Sequence, residues 1–275
     1  MLDPSQTPSG DDARASRGTT AFFAAALGFT WLLQLPALLA QRGILPGPAE
    51  RFVLPAALGG FGPLLAAVLL SRIEGGGAGV RALFRPLRTW RVGAGWYVVA
   101  LGGFAMIHVG GRAVFSLLGG GDAGPWLYPP ENAGQIAAML VVPFAEEPGW
   151  RGFALPRLQR RHGALKASLL VGVGWALWHT VMFLLQGATP LTFAISMVNV
   201  AAGSVVFSWI YNHTRGSLLL AMLAHAGVHL NNPYHALPGH VTPFVVYTVA
   251  MCVAAGALVV GDPAAWRAPE TVRAG

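Results

Sequence analysis

Residues 164–186 read ALKASLLVGVGWALWHTVMFLLQ, with one lysine near the start and no carboxylate. Wound as an α-helix at 1.5 Å per residue, this segment is about 34 Å long, enough to cross a hydrocarbon core of roughly 30 Å. In lipid the backbone must satisfy its own N–H and C=O groups, so a run of this kind predicts a transmembrane helix. Seven further apolar runs have the same character, at about 20–40, 52–71, 93–118, 133–155, 190–211, 216–232 and 241–260. The predicted fold is all-α, a polytopic bundle of about eight transmembrane helices.

Composition agrees. Of 275 residues 54% are hydrophobic and only 11% charged, with a mean hydropathy of +0.55; a soluble globule carries about twice that charge. The net charge of +7 would suit nucleic acid, but the arginines are spread over the gaps between apolar runs. They read as topology signals, so the lipid bilayer is the expected partner and nucleic acid is not. With the N-terminus inside, 15 of the 18 basic residues fall on the inner side, among them Arg72, Arg81, Arg85, Arg88, Arg91, Arg151, Arg157, Arg160, Arg161 and Lys166. Only Arg42, Arg51 and Arg112 fall elsewhere, so eight spans with both termini cytoplasmic satisfy the positive-inside rule.

The resulting domain map is a disordered cytoplasmic tail over 1–19, a membrane domain over 20–260 and a second cytoplasmic tail over 261–275. The first run is a span, not a cleaved signal, because its polar lead is long and Gln34 and Pro36 interrupt it. Glycines such as Gly59, Gly62 and Gly172 suit close helix packing. Gly75–Gly79 reads as a flexible loop. The single cysteine, Cys252, excludes an intramolecular disulfide and a cysteine metal cluster. Oligomeric state has no sequence signal.

Nine of the 11 acidic residues lie in tails or gaps; the other two, Glu146 and Glu147, follow the apolar run IAAMLVVPFA and precede PGWRGFALPRL. A carboxylate at that depth costs several kcal/mol unless paired or hydrated, and marks a functional site by default. Neighbours on a helix point about 100° apart, so the two cannot share a face, and Glu147 has an i, i+4 partner in Arg151. Glu146 needs a group from another helix. Pro148 interrupts the helical ladder just beyond and makes room for water. The tryptophans, Trp150 and Trp175 included, read mainly as packing or interfacial belt.

The basic groups at hydrocarbon depth are His108, His179, His225 and His229, the last two one turn apart on one face. Spacing leaves two chemistries open. A histidine and a carboxylate activate water for attack on a carbonyl, with His225, His229, Asn231 or Asn232 donating to the oxyanion. Alternatively, Glu146, His179 and His225 form a three-ligand zinc set with an open position.

Three motifs then resemble a known family. EEPGWRG matches the Glu-Glu-x-x-x-Arg signature of the CAAX protease and bacteriocin-processing (CPBP, or Abi) family. WALWH matches its second motif through Trp175 and His179, and LLLAMLAH its third through His225, over about 145–232. The resemblance implies an eight-helix membrane bundle, with Glu146 as catalytic glutamate and His179 as its partner in activating water. It also implies that Glu147 and Arg151 orient the site and that His225 binds the oxyanion with the residue four on. That residue is His229, where the family prefers Asn or Asp. The metal is left as none or zinc.

The function expected is hydrolysis of a peptide bond in a membrane-associated peptide or protein, in a multi-pass protein of the cell membrane. The rival readings are a proton-coupled transporter, in which Glu146 and the histidines relay protons, and a non-catalytic peptide-binding relative. Arginine outnumbers lysine 17 to 1, which points to a GC-rich bacterial genome and a bacterial inner membrane.

Overall fold

The computed structural model describes residues 10–122, 124–232 and 241–267; the outermost parts of both predicted tails, 1–9 and 268–275, lie outside them. Among the described residues there is no strand. The helices are Gly10–Gln41 (α1), Val53–Gly59 (α2), Gly62–Phe84 (α3), Ala94–Leu117 (α4), Ala133–Glu147 (α5), Leu155–His162 (α6), Ala164–Trp178 (α7), Thr180–Leu185 (α8), Pro190–His213 (α9), Leu218–Leu230 (α10) and Val241–Gly261 (α11).

Every predicted apolar run is helical, but the runs are not equal. Among the described residues five helices are long and apolar enough to cross a membrane: Arg17–Gln41, Ala94–Leu117, Ala164–Leu185, Pro190–His213 and Val241–Gly261. A sixth crossing requires Ala49–Gly59 and Gly62–Arg88, bent by 44°, to act as one span. The other two runs are shorter as helices. α5 ends after 15 residues, and α10 has 13, about 20 Å of length. These two short helices carry the carboxylates and the histidine pair.

α1 starts at Gly10 and so takes in residues 10–19 of the predicted tail. The expected Gly75–Gly79 loop is a local break in α3. Gly75 and Gly76 leave helical geometry, Gly76 at φ 58, ψ −144, a conformation open to glycine.

The outer surface confirms a lipid solvent. Leu117, Val260, Leu140 and Leu32 are 86%, 83%, 73% and 70% exposed, a distribution of large apolar side chains that water would not tolerate over such an area. Inside, Trp150, Phe153, Phe104, Phe207 and Tyr247 form the core with small residues between them. α10 packs on both α4 and α5. The approach to α4 depends on Gly227, where a Cβ would stand 2.6 Å from the Leu101 carbonyl oxygen and 2.7 Å from that of Ala100. Ser217 caps α10 by accepting from Leu220 N–H, and Asn132 caps α5 by accepting from Gln135 N–H.

Candidate active site

Glu146 and Glu147 are the last two residues of α5, and the chain continues into a π-helical turn, Pro148–Ala154, before α6. Pro148 supplies no N–H, so the regular ladder cannot continue through it and widens there. Across this turn each carboxylate meets the side chain four residues on. Trp150 Nε1 donates to Glu146 Oε2 at 3.3 Å, and Arg151 Nη1 donates to Glu147 Oε1 at 3.1 Å. The predicted Glu147–Arg151 pair is therefore formed, with both side chains 0% exposed.

Because the two carboxylates point apart, each also faces a different helix. Trp175 of α7 donates its indole N–H to Glu146 Oε2 at 2.6 Å. His225 of α10 places Nδ1 2.7 Å from Glu147 Oε1. The histidine on α10 thus goes to Glu147, and the polar partners of Glu146 are tryptophans. Both indole donors share Oε2, which leaves Oε1 of Glu146 to its surroundings. The sequence alone marks Trp150 and Trp175 mainly as packing or interfacial belt. The signal that marks Trp150 was present, since it stands to Glu146 as Arg151 stands to Glu147; nothing local marks Trp175 as a donor.

His179 falls at the junction of α7 and α8. Its Nδ1 lies 2.8 Å from the Trp175 carbonyl oxygen, which only accepts, so Nδ1 carries the proton and Nε2 keeps its lone pair. Trp178 at 4.7 Å, edge-on, and Phe183 at 5.3 Å, stacked, fix the ring. His225 and His229 stack with centroids 5.3 Å apart and planes 7° from parallel. Arg151 is held by more than its carboxylate: Nη2 donates to Ser204 Oγ at 3.4 Å, and the guanidinium lies 4.5 Å from the Trp175 ring and 4.4 Å from Phe207.

A cavity of about 770 Å³ brings these groups to a common space. Glu146, Trp175, His179, His225, His229 and Asn232 line it, with an apolar wall from α2 and α5. Glu147 and Arg151 are not on its lining; they stand behind it and fix His225 and Trp175. Asn231, predicted as an accessory donor, is not on it either. Its carboxamide accepts from Tyr128 N–H at 2.6 Å and meets His108 Nδ1 at 3.0 Å, which ties the end of α10 to the loop before α5 and to α4. Zinc was the alternative use of Glu146, His179 and His225. Among the described residues no three His, Cys, Asp or Glu side chains group as a metal site requires, so the arrangement does not fit that ligand set.

Fold and cluster together define a polytopic helical membrane protein whose buried carboxylates and histidines face an internal cavity. Residues 132–231, which contain both glutamates, Arg151, His179, His225 and His229, match the family described as type II CAAX prenyl endopeptidase Rce1-like. CAAX prenyl protease 2 of Methanococcus maripaludis is 27% identical over 45% of this chain and 48% of its own length. The chain therefore spans about half the length of this curated relative. Through this segment, about a third of the chain, it is similar to the Rce1-like type II CAAX prenyl endopeptidases.

Proposed function

We propose that this protein is an intramembrane endopeptidase that hydrolyses a peptide bond of a membrane-associated peptide or protein, with Glu146 and His179 activating water. The observation that supports this reading is their shared position on one cavity: Glu146 with Oε1 outside its two indole bonds, His179 with Nε2 outside its backbone bond. A water between these atoms gives one proton to the Glu146 carboxylate and donates its other O–H to the lone pair of His179 Nε2, which aims its oxygen at the substrate. The new C–O bond forms at the substrate carbonyl carbon, and the C–N bond breaks as Glu146 returns the proton to the leaving amine. Positioned bases of this kind contribute about 10²- to 10⁴-fold.

The oxyanion falls to His225. Glu147 Oε1, 2.7 Å from Nδ1, fixes the ring on the cavity wall, and one oxyanion donor contributes about 10²- to 10³-fold. His229, stacked on His225, takes the place of the Asn or Asp that the family prefers. The proposal includes eight spans over 20–260, cytoplasmic tails at both ends and a place in the cell membrane. No step runs through a metal.

The test is cleavage of a mixed library of hydrophobic peptides by the purified protein in detergent, comparing wild type, Glu146→Ala and His179→Ala, each with and without a zinc chelator. The expected result is cleavage by wild type, unchanged by chelator, and lost in both variants. Loss on chelation with recovery on added zinc overturns the metal-free mechanism. A wild type that cleaves nothing overturns the protease reading in favour of transport or peptide binding.

A further inference from the structure

Gln34 interrupts the first apolar run and has no role in the chemistry above. It is 7% exposed, lines the cavity, and its Oε1 has no hydrogen-bond partner. In an apolar bundle an unsatisfied buried amide oxygen is costly and rare. Other side-chain amides on this cavity are committed or open to the outside. Gln135 Oε1 accepts from Glu131 N–H at 2.6 Å, Asn199 donates to Thr248 Oγ1 at 3.2 Å, and Gln186 is exposed.

The position of Gln34 is fixed from both sides. One turn before it, Thr30 Oγ1 accepts from Trp178 Nε1 at 2.6 Å and donates to the Gly59 carbonyl at 2.7 Å. Two turns after it, Gln41 Nε2 donates to the Leu185 carbonyl at 3.1 Å. α1 is thus laced along α8, from the residue before His179 to the end of that helix. Gln34, between the two ties, lines the same cavity as His179 at the start of α8. Its carboxamide is the α1 contribution to a wall whose catalytic groups come from α5, α7 and α10.

A peptide entering this cavity leaves water, and each main-chain N–H and C=O then needs a partner. A carboxamide offers one acceptor and one donor at the spacing of a peptide unit. Resting on the protease reading for its substrate class, we propose that Gln34 binds the main chain of the substrate peptide next to the bond that is cut, accepting its N–H at Oε1 and donating from Nε2 to its C=O. Gln34 is a substrate-positioning residue and takes no part in the proton transfers.

The experiment uses the full chain in detergent micelles with Gln34→Leu, which keeps the volume and removes both hydrogen-bonding atoms. The probes are a dye-labelled hydrophobic peptide cleaved by wild type and a series in which each amide in turn is replaced by an ester, which lacks the N–H. Kd by fluorescence anisotropy, KM, kcat and Tm are measured for each. Gln34→Leu is expected to raise Kd and KM about 3- to 10-fold, the size of one or two neutral hydrogen bonds, with kcat within about twofold. Tm is expected not to fall, because Oε1 has no partner in the protein to lose. One ester position should weaken binding to wild type and have no further effect on Gln34→Leu. Unchanged Kd, a loss that follows a fall in Tm, or ester effects that all add to that of Gln34→Leu overturn the proposal. If wild type cleaves no library peptide, the protease reading fails, and the same Kd comparison on a peptide that binds still decides the role of Gln34.

Discussion

Two regions of this protein combine a carboxylate, a histidine and an indole N–H. At the end of α9, Trp209 Nε1 donates to Asp262 Oδ2 at 2.9 Å, His213 Nε2 meets the same oxygen, and Trp96 stacks on the His213 ring at 5.0 Å. At the end of α5, Glu147 and His225 make the corresponding pair, and Glu146 takes the indoles. The side chains of His213 and Asp262 are 31% and 29% exposed, those of His225 and Glu147 5% and 0%. Water can complete the first cluster, whose work is to tie the segment after α11 onto α9. The second must be completed by protein, and it is not: Glu147 Oε2 and Arg151 Nε have no hydrogen-bond partner. The same parts give a clasp at the edge and an incompletely satisfied polar core beside a cavity, so burial, not inventory, separates the two clusters.

The sharpest break in this comparison is expected from Glu147→Leu. Removing the carboxylate leaves a fully buried guanidinium with Ser204 Oγ and two ring faces as its remaining partners. Uncompensated buried charge of this kind costs about 3–5 kcal/mol, so unfolding in detergent should occur well below the wild-type temperature, and activity should be lost with it. Adding Arg151→Leu removes the stranded charge and should recover much of the stability but none of the activity, because His225 still lacks the carboxylate that fixes its ring. A single variant as stable as wild type would mean that Arg151, not Glu147, dominates the pair.

A smaller effect is expected from Trp175→Phe, which keeps an aromatic ring under Arg151 and deletes the 2.6 Å donor to Glu146. Hydrogen bonds to charged groups contribute about 1.5–3 kcal/mol, so kcat/KM should fall about 10- to 100-fold. Trp150→Phe, which deletes the 3.3 Å donor, should cost less. Equal effects would show that the tryptophans act on Glu146 by packing alone, as the sequence reading had them.

Sequence reached the class of this fold because hydrocarbon imposes a length on each helix, and 164–186 declares that length in one reading. It reached the Glu147–Arg151 pair because i, i+4 geometry is local to one helix. The partners of Glu146 were out of reach for the opposite reason. The contact between Trp175 and Glu146 joins residues 29 apart on different helices, and a tryptophan in an apolar run looks the same whether its N–H is used or not. Asn231 misled by proximity: it follows the α10 histidines directly, but the helix has ended by then and its side chain turns to Tyr128 and His108. Arg151 was counted among the inner-side charges that set topology and is 0% exposed in the site, a reminder that charge counting assumes water at each charge.

The smallest effect is expected at the edge cluster, where pH reads the difference from the core. The indole N–H of Trp209 and the ring of His213 hold the Asp262 carboxyl below its ordinary value of 3.8. A carboxylate whose folded pKa is depressed contributes stability that is present in full above the unfolded value and disappears as the pH falls through the folded one. The Tm of Asp262→Asn should therefore lie slightly below that of wild type at neutral pH and converge on wild type as the pH drops below 3.8. Peptide cleavage at neutral pH should be unchanged, since Asp262 does not line the cavity. An offset that persists undiminished at the acid end would place the effect in the neutral hydrogen bond from Trp209. A loss of cleavage would mean that the α9 clasp and the α5 site are coupled and not two separate uses of the same parts.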